Sequence, residues 1–371
     1  MNKKFWATTF TLSGAIMGAG ILGLPFVFAK SGFLAGLFWL IFLGAIMTYL
    51  NLTLGEVTLR TRGIHQLPGY AKKYLGNWGK RAMFFAMIFG IYSALLAYLL
   101  GEGESFSNIL PGNINPVFLG VIFWGIMTFL LQRGITQLKK IEMYGVGIII
   151  LIIFGMFIQF FPQIQSTNLA TINPQNFTFP IGIILFALLG FTSIPELRQE
   201  IKGQEKLLKK AILIGTLIPI ILYILFTSIF IGILGKEISE IATLSFGPII
   251  TILGIFTMLT SYFVLSFSLK DTFKYDLKLK KKQGILLTSG IPLIIYLLIS
   301  KFQLIGFTQI LGVGGVISGG FTAILILLIH KKSKKSRRNN KEPEINIKTN
   351  LGIIIFLSII FITGIILEFI N

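Results

Sequence analysis

Eleven long apolar runs restrict the fold of this chain more than any other feature of its sequence. They cover approximately residues 5–29, 33–55, 82–101, 116–132, 143–161, 180–197, 211–234, 247–269, 284–300, 303–329 and 351–370. A helix needs about 20 apolar residues to cross the hydrocarbon core of a bilayer. Because backbone amides must be paired in lipid, such segments cross as helices. The pattern predicts an all-α polytopic membrane protein with about eleven transmembrane helices.

Composition supports a membrane protein and excludes several functional classes. Of the 371 residues, 54% are hydrophobic and only 13% are charged, which is too apolar for a soluble domain. The chain has no cysteine and two histidines, so it lacks thiolate sites and is poor in metal ligands and catalytic bases. No Walker-type phosphate loop is present, so ATP-driven transport is not supported. We therefore expect neither an enzyme nor a bound cofactor.

The basic residues are distributed very unevenly between the two sides of the predicted membrane. With the N-terminus placed inside, only three of the 33 lysines and arginines lie on the outer side, and these are Lys30, Lys236 and Lys301. Positive charge concentrates in cytoplasmic loops. This pattern predicts a cell-membrane protein with a cytoplasmic N-terminus and an external C-terminus. The net charge of +19 then indicates contact with anionic lipids, and we expect no nucleic-acid partner.

Two of the runs contain helix-breaking residues at their centres. The first run includes SGAIMGAGILGLP, and the sixth includes LLGFTSIPE, with Gly190 and Pro195. Because the sixth span comes five spans after the first, the two helices run in opposite directions, as in an inverted repeat, and paired broken helices point to a transporter's midplane site. A GxxxG pattern at Gly14 and Gly18 also fits close helix packing. The predicted units are two five-helix repeats, a basic cytoplasmic linker and an eleventh helix, at 1–161, 162–330, 331–350 and 351–371.

These motifs also resemble a known group of transporters. GAIMGAGILGLPFVFAKSGF resembles the first helix, and FALLGFTSIPELRQEI the sixth helix, of the amino acid/auxin permease and hydroxy/aromatic amino acid permease families. Both families belong to the amino acid–polyamine–organocation superfamily. The resemblance implies a LeuT-type fold and ion-driven uptake of amino acids. Phe191 stands where the aromatic branch often carries a histidine, which leaves an aromatic substrate and proton coupling open.

The resemblance implies a substrate site at the two breaks. At the first break, backbone amides would receive the substrate carboxylate; the residues are Met17, Gly18, Ala19 and Gly20. At the sixth-helix break, carbonyls would receive the ammonium group and side chains would shape the pocket; the residues are Phe186, Ala187, Leu188, Gly190 and Phe191. Neither break contains a charged residue, which suits a zwitterion. Tyr92 is a further pocket candidate, with Tyr98 as its alternative, and the glycine-rich stretch 310–321 is expected to form a packing or gating seam.

The sequence allows either sodium or a proton as the coupling ion. A sodium site would combine oxygens at Ser13 and Ile16 with the hydroxyls of Thr260 and Ser261, since hard oxygen ligands suit such a cation. Alternatively, those hydroxyls form hydrogen bonds with a carbonyl of their own helix or with a neighbouring helix. For a proton, the candidate groups are Glu56 and Glu196, because acids within membrane helices are commonly functional. Their alternative role is a salt bridge that anchors a helix end.

Three functions fit this pattern. The first is an ion-coupled amino acid symporter that works by alternating access. The second is an amino acid sensor of the same fold that binds its ligand without transporting it. The third, a metal-ion transporter, is disfavoured because the breaks lack Asp, His and Cys. The sequence does not predict an oligomeric state.

Overall fold

The computed structural model describes residues 3–63, 65–133, 137–275, 277–335 and 342–370, and the regular elements within them are helices. The α-helices are α1 Lys3–Ile16, α2 Gly20–Ser31, α3 Phe33–Arg60, α4 Leu67–Ile109, α5 Pro116–Arg133, α6 Gln137–Phe160, α7 Ser166–Leu169, α8 Ile181–Ala187, α9 Ile194–Glu200, α10 Leu208–Leu234, α11 Pro248–Tyr275, α12 Lys281–Ile285, α13 Ile291–Phe302, α14 Phe307–Gly314, α15 Gly320–Lys335 and α16 Leu351–Ile370. Single π-helical turns join α12 to α13 and α14 to α15.

The structure contains many helices that could span a membrane, as the sequence predicts. Within the described residues, nine helical segments are long and apolar enough to cross a membrane, and the pair α1 and α2, bent by 55° at its break, makes a tenth. The fifth predicted run, 143–161, lies in α6, and the side chains of its first residues lie outside the described set. The described apolar part, Gly147–Gln163, is shorter than a full span. A multi-pass membrane protein is therefore confirmed, and the count of eleven stays a prediction.

Helix α4 is much longer than the predicted third span, 82–101. It has 43 residues and contains a kink at Gly76, whose φ is +78°. Glycine adopts such a conformation without the steric penalty that a Cβ brings, so Gly76 separates a short arm from the spanning part of the helix. At its other end the apolar run stops at Glu102, yet the helix continues for two more turns. The boundary at 101 was wrong because a buried acid ended the hydropathy signal without ending the helix.

Helices α4 and α10 each pack against several other helices. Helix α4 packs against α5, α11, α13, α14 and α15, whereas α10 packs against α1, α2, α3 and α6. Small residues permit these contacts: a Cβ at Gly215 of α10 would lie 2.9 Å from the carbonyl oxygen of Thr9 in α1. Membrane helices associate through such close packing, because lipid provides little hydrophobic force between them.

The segment before α16, which lies in the predicted basic cytoplasmic linker 331–350, is packed against the helices. Helix α15 continues to Lys335, and residues 336–341 lie outside the described set. Beyond them, Ile345 is buried, and the hydroxyl of Tyr49 donates to the carbonyl oxygen of Lys348 at 3.1 Å. The described part of this segment is therefore attached to α3.

Candidate functional site

Both helix breaks lie where the sequence predicts them. Helix α1 ends at Ile16, whose carbonyl oxygen accepts a hydrogen bond from the Gly18 amide at 2.8 Å, and α2 then begins at Gly20. Helix α8 ends at Ala187, and a 3₁₀ turn over Phe191–Ser193 leads into α9. Irregular backbone at membrane depth persists only where protein or a cavity surrounds it.

The two breaks touch each other through backbone atoms. A Cβ placed on Gly20 would lie 2.5 Å from the Cα of Ala187, which is far too close for any side chain. A Cβ on Gly190 would lie 2.7 Å from Cγ1 of Ile16. Gly20 therefore allows the start of α2 to approach the end of α8, and Gly190 allows the second break to approach the end of α1.

Tyr223 of α10 joins the two breaks by hydrogen bonds. Its hydroxyl oxygen lies 2.9 Å from the carbonyl oxygen of Ile16 and 2.8 Å from that of Ala187. These carbonyls belong to the last residues of α1 and α8, where intrahelical donors run out. The Tyr223 side chain is fully buried. One phenol thus supplies the donor that two helix ends share.

A cavity of about 120 Å³ lies beside the breaks. Its lining residues are Ala15, Ile16, Gly18, Gly20, Leu67, Met87, Gly90, Ile91, Ala94, Tyr98, Phe186, Leu189, Phe191, Thr192, Leu265, Ser318 and Thr322. The lining is mostly apolar, none of these side chains carries a charge, and hydroxyls come from Tyr98, Thr192, Ser318 and Thr322. The Tyr98 hydroxyl lies 3.5 Å from the amide nitrogen of Ala19, beside the first break. Pockets of this kind, apolar with a few placed polar groups, are typical of small-molecule sites.

The predicted substrate residues divide into three groups. Gly18, Gly20, Phe186 and Phe191 line the cavity. Met17, Ala19, Ala187 and Leu188 are buried in the adjoining breaks, and Gly190 packs on Ile16. Tyr92 lies elsewhere, because its hydroxyl donates to the carbonyl oxygen of Leu287 at 3.0 Å. Tyr98, the alternative tyrosine, is the one that lines the cavity.

The glycine-rich stretch 310–321 contacts the second break. A Cβ on Gly315 would lie 2.6 Å from the amide nitrogen of Phe186, and Ser318 of the same π-helical turn lines the cavity. π-Helical turns are frequent at functional sites. This contact accords with the predicted packing seam.

The four residues predicted to bind sodium make the following contacts. The Ser13 hydroxyl donates to the carbonyl oxygens of Thr9 and Gly215, at 3.1 and 3.0 Å. The Ile16 carbonyl oxygen accepts from Tyr223. Thr260 donates to the carbonyl oxygens of Phe256 and Thr257 in its own helix, at 3.0 and 3.1 Å. Ser261 follows it in α11 and is half-buried. The sodium site stays a prediction.

The two predicted proton-coupling acids have different surroundings. Glu196 is exposed, in the first turn of α9. Glu56 is fully buried. Its carboxylate accepts hydrogen bonds from Arg60 at 2.7 Å and from the Ile347 amide at 2.6 Å, and it lies 2.9 Å from Nε2 of His330. These contacts fit the anchoring role, in which α3, α15 and the segment before α16 are held together.

We expect Glu56→Ala to destabilise the protein strongly. Removing one partner of a buried ion pair costs about 3–5 kcal/mol, because the other charge remains buried without compensation. Thermal unfolding in detergent should therefore begin at a clearly lower temperature than for the wild type. Glu196→Ala is the matched control and should unfold like the wild type; equal unfolding of both variants would contradict the anchoring role.

Two residues of the site carried little sequence signal. Tyr223 lies within the apolar run LIPIILYILF, and Thr322 lies within a similar run. Tyrosines of membrane proteins concentrate at the lipid–water interfaces. A tyrosine at the centre of a run is therefore a usable signal of buried hydrogen bonding, and it points to Tyr223.

Comparison with known proteins identifies the family. The model of the "Tryptophan/tyrosine permease family" matches residues 1–369. The chain is similar to "Tyrosine-specific transport system 1" of Haemophilus influenzae, 26% identical over 61% of this chain and 56% of that protein. It is also similar to "Glutamine transporter 2" of Aliivibrio fischeri, 24% identical over 66% of this chain and 65% of that protein. A third relative is "Serine/threonine exchanger SteT" of Bacillus subtilis, 30% identical over 65% of this chain and 57% of that protein.

The chain thus spans between 56% and 65% of the length of these three relatives. Their names describe transport proteins, so the expectation of a permease rather than an enzyme is confirmed. Because the family model covers nearly the whole chain, the protein belongs to the tryptophan/tyrosine permease family.

Proposed function

We propose that this permease is an ion-coupled symporter that takes up a zwitterionic amino acid held between the two helix breaks. The observation that carries the proposal is the cavity itself, because it lies against both breaks and contains no charged side chain. A substrate with one positive and one negative group can be held there by helix ends and backbone dipoles. The relatives that transport tyrosine, glutamine, or serine and threonine by name support this substrate class.

The start of α2 is the proposed position of the substrate carboxylate. Unpaired amides and the positive end of the helix dipole favour an anion at a helix N-terminus. Gly18 and Gly20 line the cavity at this end. Because Gly18 has no Cβ, a ligand can approach the backbone closely at that position. The ammonium group would face carbonyl oxygens at the end of α8.

The side chain of the substrate would occupy the apolar part of the cavity. Phe186 and Phe191 come from the second break, and Met87 and Ile91 come from α4. These groups favour an uncharged side chain, since a charge would be desolvated there without a partner. The proposed class is therefore neutral amino acids.

Transport would follow alternating access between two inverted repeats. In such transporters one bundle rocks against the rest around a fixed midplane site. Here the moving bundle would carry α1, α2, α8 and α9, and α4 and α11 would form the opposing side. Tyr223 would keep the two breaks together during the movement.

Uptake by purified protein in proteoliposomes tests the proposal. A panel of neutral amino acids is supplied outside under an imposed sodium gradient, proton gradient or neither. We expect concentrative uptake of at least one neutral amino acid under one gradient. Saturable binding without uptake under either gradient would instead support the sensor.

We expect Gly18→Leu to abolish substrate binding while the protein still inserts and folds. A Cβ at this position would lie 3.3 Å from the Tyr98 hydroxyl, and the larger side chain would extend into the cavity. Gly125→Leu is the matched control, because nothing lies within 4 Å of a Cβ there. Binding by isothermal calorimetry should be lost only in the first variant; wild-type affinity in Gly18→Leu would refute the assignment of this cavity.

A further inference from the structure

The cavity-facing stripe of α4 continues beyond the cavity with two polar residues. Residues of this helix that line the cavity recur in steps of three and four, at Met87, Ile91, Ala94 and Tyr98. Such steps return to the same helix face. The next positions on the stripe are Glu102 and Ser105, and both side chains are fully buried. The stripe therefore changes from apolar to polar on the far side of Tyr98.

Both of these polar side chains are unpaired among the residues that the structure describes. Among the described residues, neither carboxyl oxygen of Glu102 has a hydrogen-bond partner, and neither does the hydroxyl of Ser105. Buried polar groups are normally paired, so two adjacent exceptions require an explanation. A protein-facing acid within a membrane helix is a candidate for proton or ion movement.

The described surroundings of Glu102 are small, apolar or uncharged groups from four helices. On one side of it, Gly101 packs against Met258 of α11 and Phe307 of α14. On the other side, Gly103 packs against the carbonyl oxygen of Pro116 in α5 and the hydroxyl of Tyr296 in α13. The nearby titratable groups are Tyr98 and the exposed Glu104 on α4, Tyr296 on α13, and Glu240, whose charge acts on Glu104. Among the described residues, no basic side chain forms a hydrogen bond or ion pair with the Glu102 carboxyl.

Glu102 lies where opening of the cavity toward the outside would change its protonation. In the orientation predicted from loop charges, Glu102 lies one helical turn outward of Tyr98. The contact between Gly20 and Ala187 keeps the breaks closed together. Burying an ionised carboxylate without a partner is far less favourable than burying the neutral acid. Closure over Glu102 would therefore favour the protonated side chain, whereas opening would hydrate it and allow ionisation.

We propose that Glu102 is the proton-binding residue through which this permease couples amino acid uptake to a proton gradient. The inference rests on the proposed transport function. In the outward-open state, hydronium transfers a proton to the carboxylate, leaving the carboxylic acid and water. In the inward-open state, the acid returns the proton to water that enters the cavity, past the hydroxyl of Tyr98. Ser105 would bond the water that reaches Glu102 from outside.

The test compares Glu102→Gln with Glu104→Gln in proteoliposomes. Glutamine resembles the protonated acid in shape and cannot release a proton, and Glu104 is an exposed acid two residues away on the same helix. For one proton per substrate, an imposed gradient of about one pH unit supports about tenfold accumulation. We expect this accumulation, with acidification of the lumen reported by a trapped pH dye, for the wild type and Glu104→Gln. Glu102→Gln should show neither, yet should retain exchange of labelled for unlabelled substrate.

A second measurement separates this assignment from the transport function. Infrared difference spectra of purified protein, recorded between acidic and alkaline buffer, should contain a buried protonated-carboxyl band that Glu102→Gln lacks and Glu104→Gln keeps. Proton-coupled accumulation by Glu102→Gln, or sodium-driven uptake by the wild type without proton movement, would overturn the assignment and leave the transporter intact. An unchanged infrared band in Glu102→Gln would also overturn it. Failure of the wild type to move any amino acid under either gradient would overturn the proposed function.

Discussion

Substituting Gly20 by alanine is expected to abolish transport, although it adds a single methyl group. The new Cβ would lie 2.5 Å from the Cα and 2.7 Å from the Cβ of Ala187. Backbone atoms cannot rotate away as a flexible side chain can, so α2 and α8 must separate. Overpacking of this kind costs about 1–3 kcal/mol. The larger consequence is geometric, because a separation of the breaks moves both proposed anchors of the substrate at once.

Gly23→Ala provides the matched control for this prediction. Gly23 lies in the same helix, one turn further on, and its nearest neighbours would be 3.6 Å from an added Cβ. That distance is ordinary van der Waals contact. Substrate affinity and initial uptake rate should be measured for both variants at equal amounts of inserted protein. We expect near-wild-type values for Gly23→Ala and loss of both for Gly20→Ala; tolerance of alanine at Gly20 would contradict the close contact between the breaks.

Most of the membrane architecture was predictable because hydropathy reports it directly. The break at Gly18 to Gly20 was also predictable, since glycine and proline act on the backbone locally. The partner of that break on the sixth span followed from counting helices. These features depend on interactions between residues close together in the sequence, and the structure places them at the expected residues.

The residues that line the site were harder to predict from the sequence, because they depend on the rotation of each helix about its axis. Tyr92 and Tyr98 lie on the same apolar run, and only the packing of α4 decides that Tyr98 lines the cavity. Glu102 lies just outside the predicted third span, 82–101, because its charge ended the apolar run. A hydropathy pattern records that a residue is polar, and it does not record that the helix buries it.

Removing the Tyr223 hydroxyl is expected to weaken substrate binding as well as stability. In Tyr223→Phe, the carbonyl oxygens of Ile16 and Ala187 lose the donor that they share at 2.9 and 2.8 Å. The Ile16 carbonyl oxygen keeps its hydrogen bond from the Gly18 amide, whereas the Ala187 carbonyl oxygen loses its Tyr223 donor, and leaving a buried acceptor without its partner costs about 1–3 kcal/mol. Since these carbonyls end α1 and α8, their release would also loosen the spacing between the two breaks. We therefore expect a lower unfolding temperature together with weaker substrate binding.

Tyr296→Phe distinguishes this effect from the general loss of a tyrosine hydroxyl. The Tyr296 hydroxyl also lies near two carbonyl oxygens, those of Pro116 and Val117, both at 3.4 Å. It connects α13 to α5, neither of which contributes a residue to the cavity lining. Calorimetric binding and thermal unfolding should be measured for both variants. Either substitution can lower the unfolding temperature, but only Tyr223→Phe should reduce the affinity for substrate. Unchanged affinity in Tyr223→Phe would show that the breaks keep their spacing without the shared hydrogen bond.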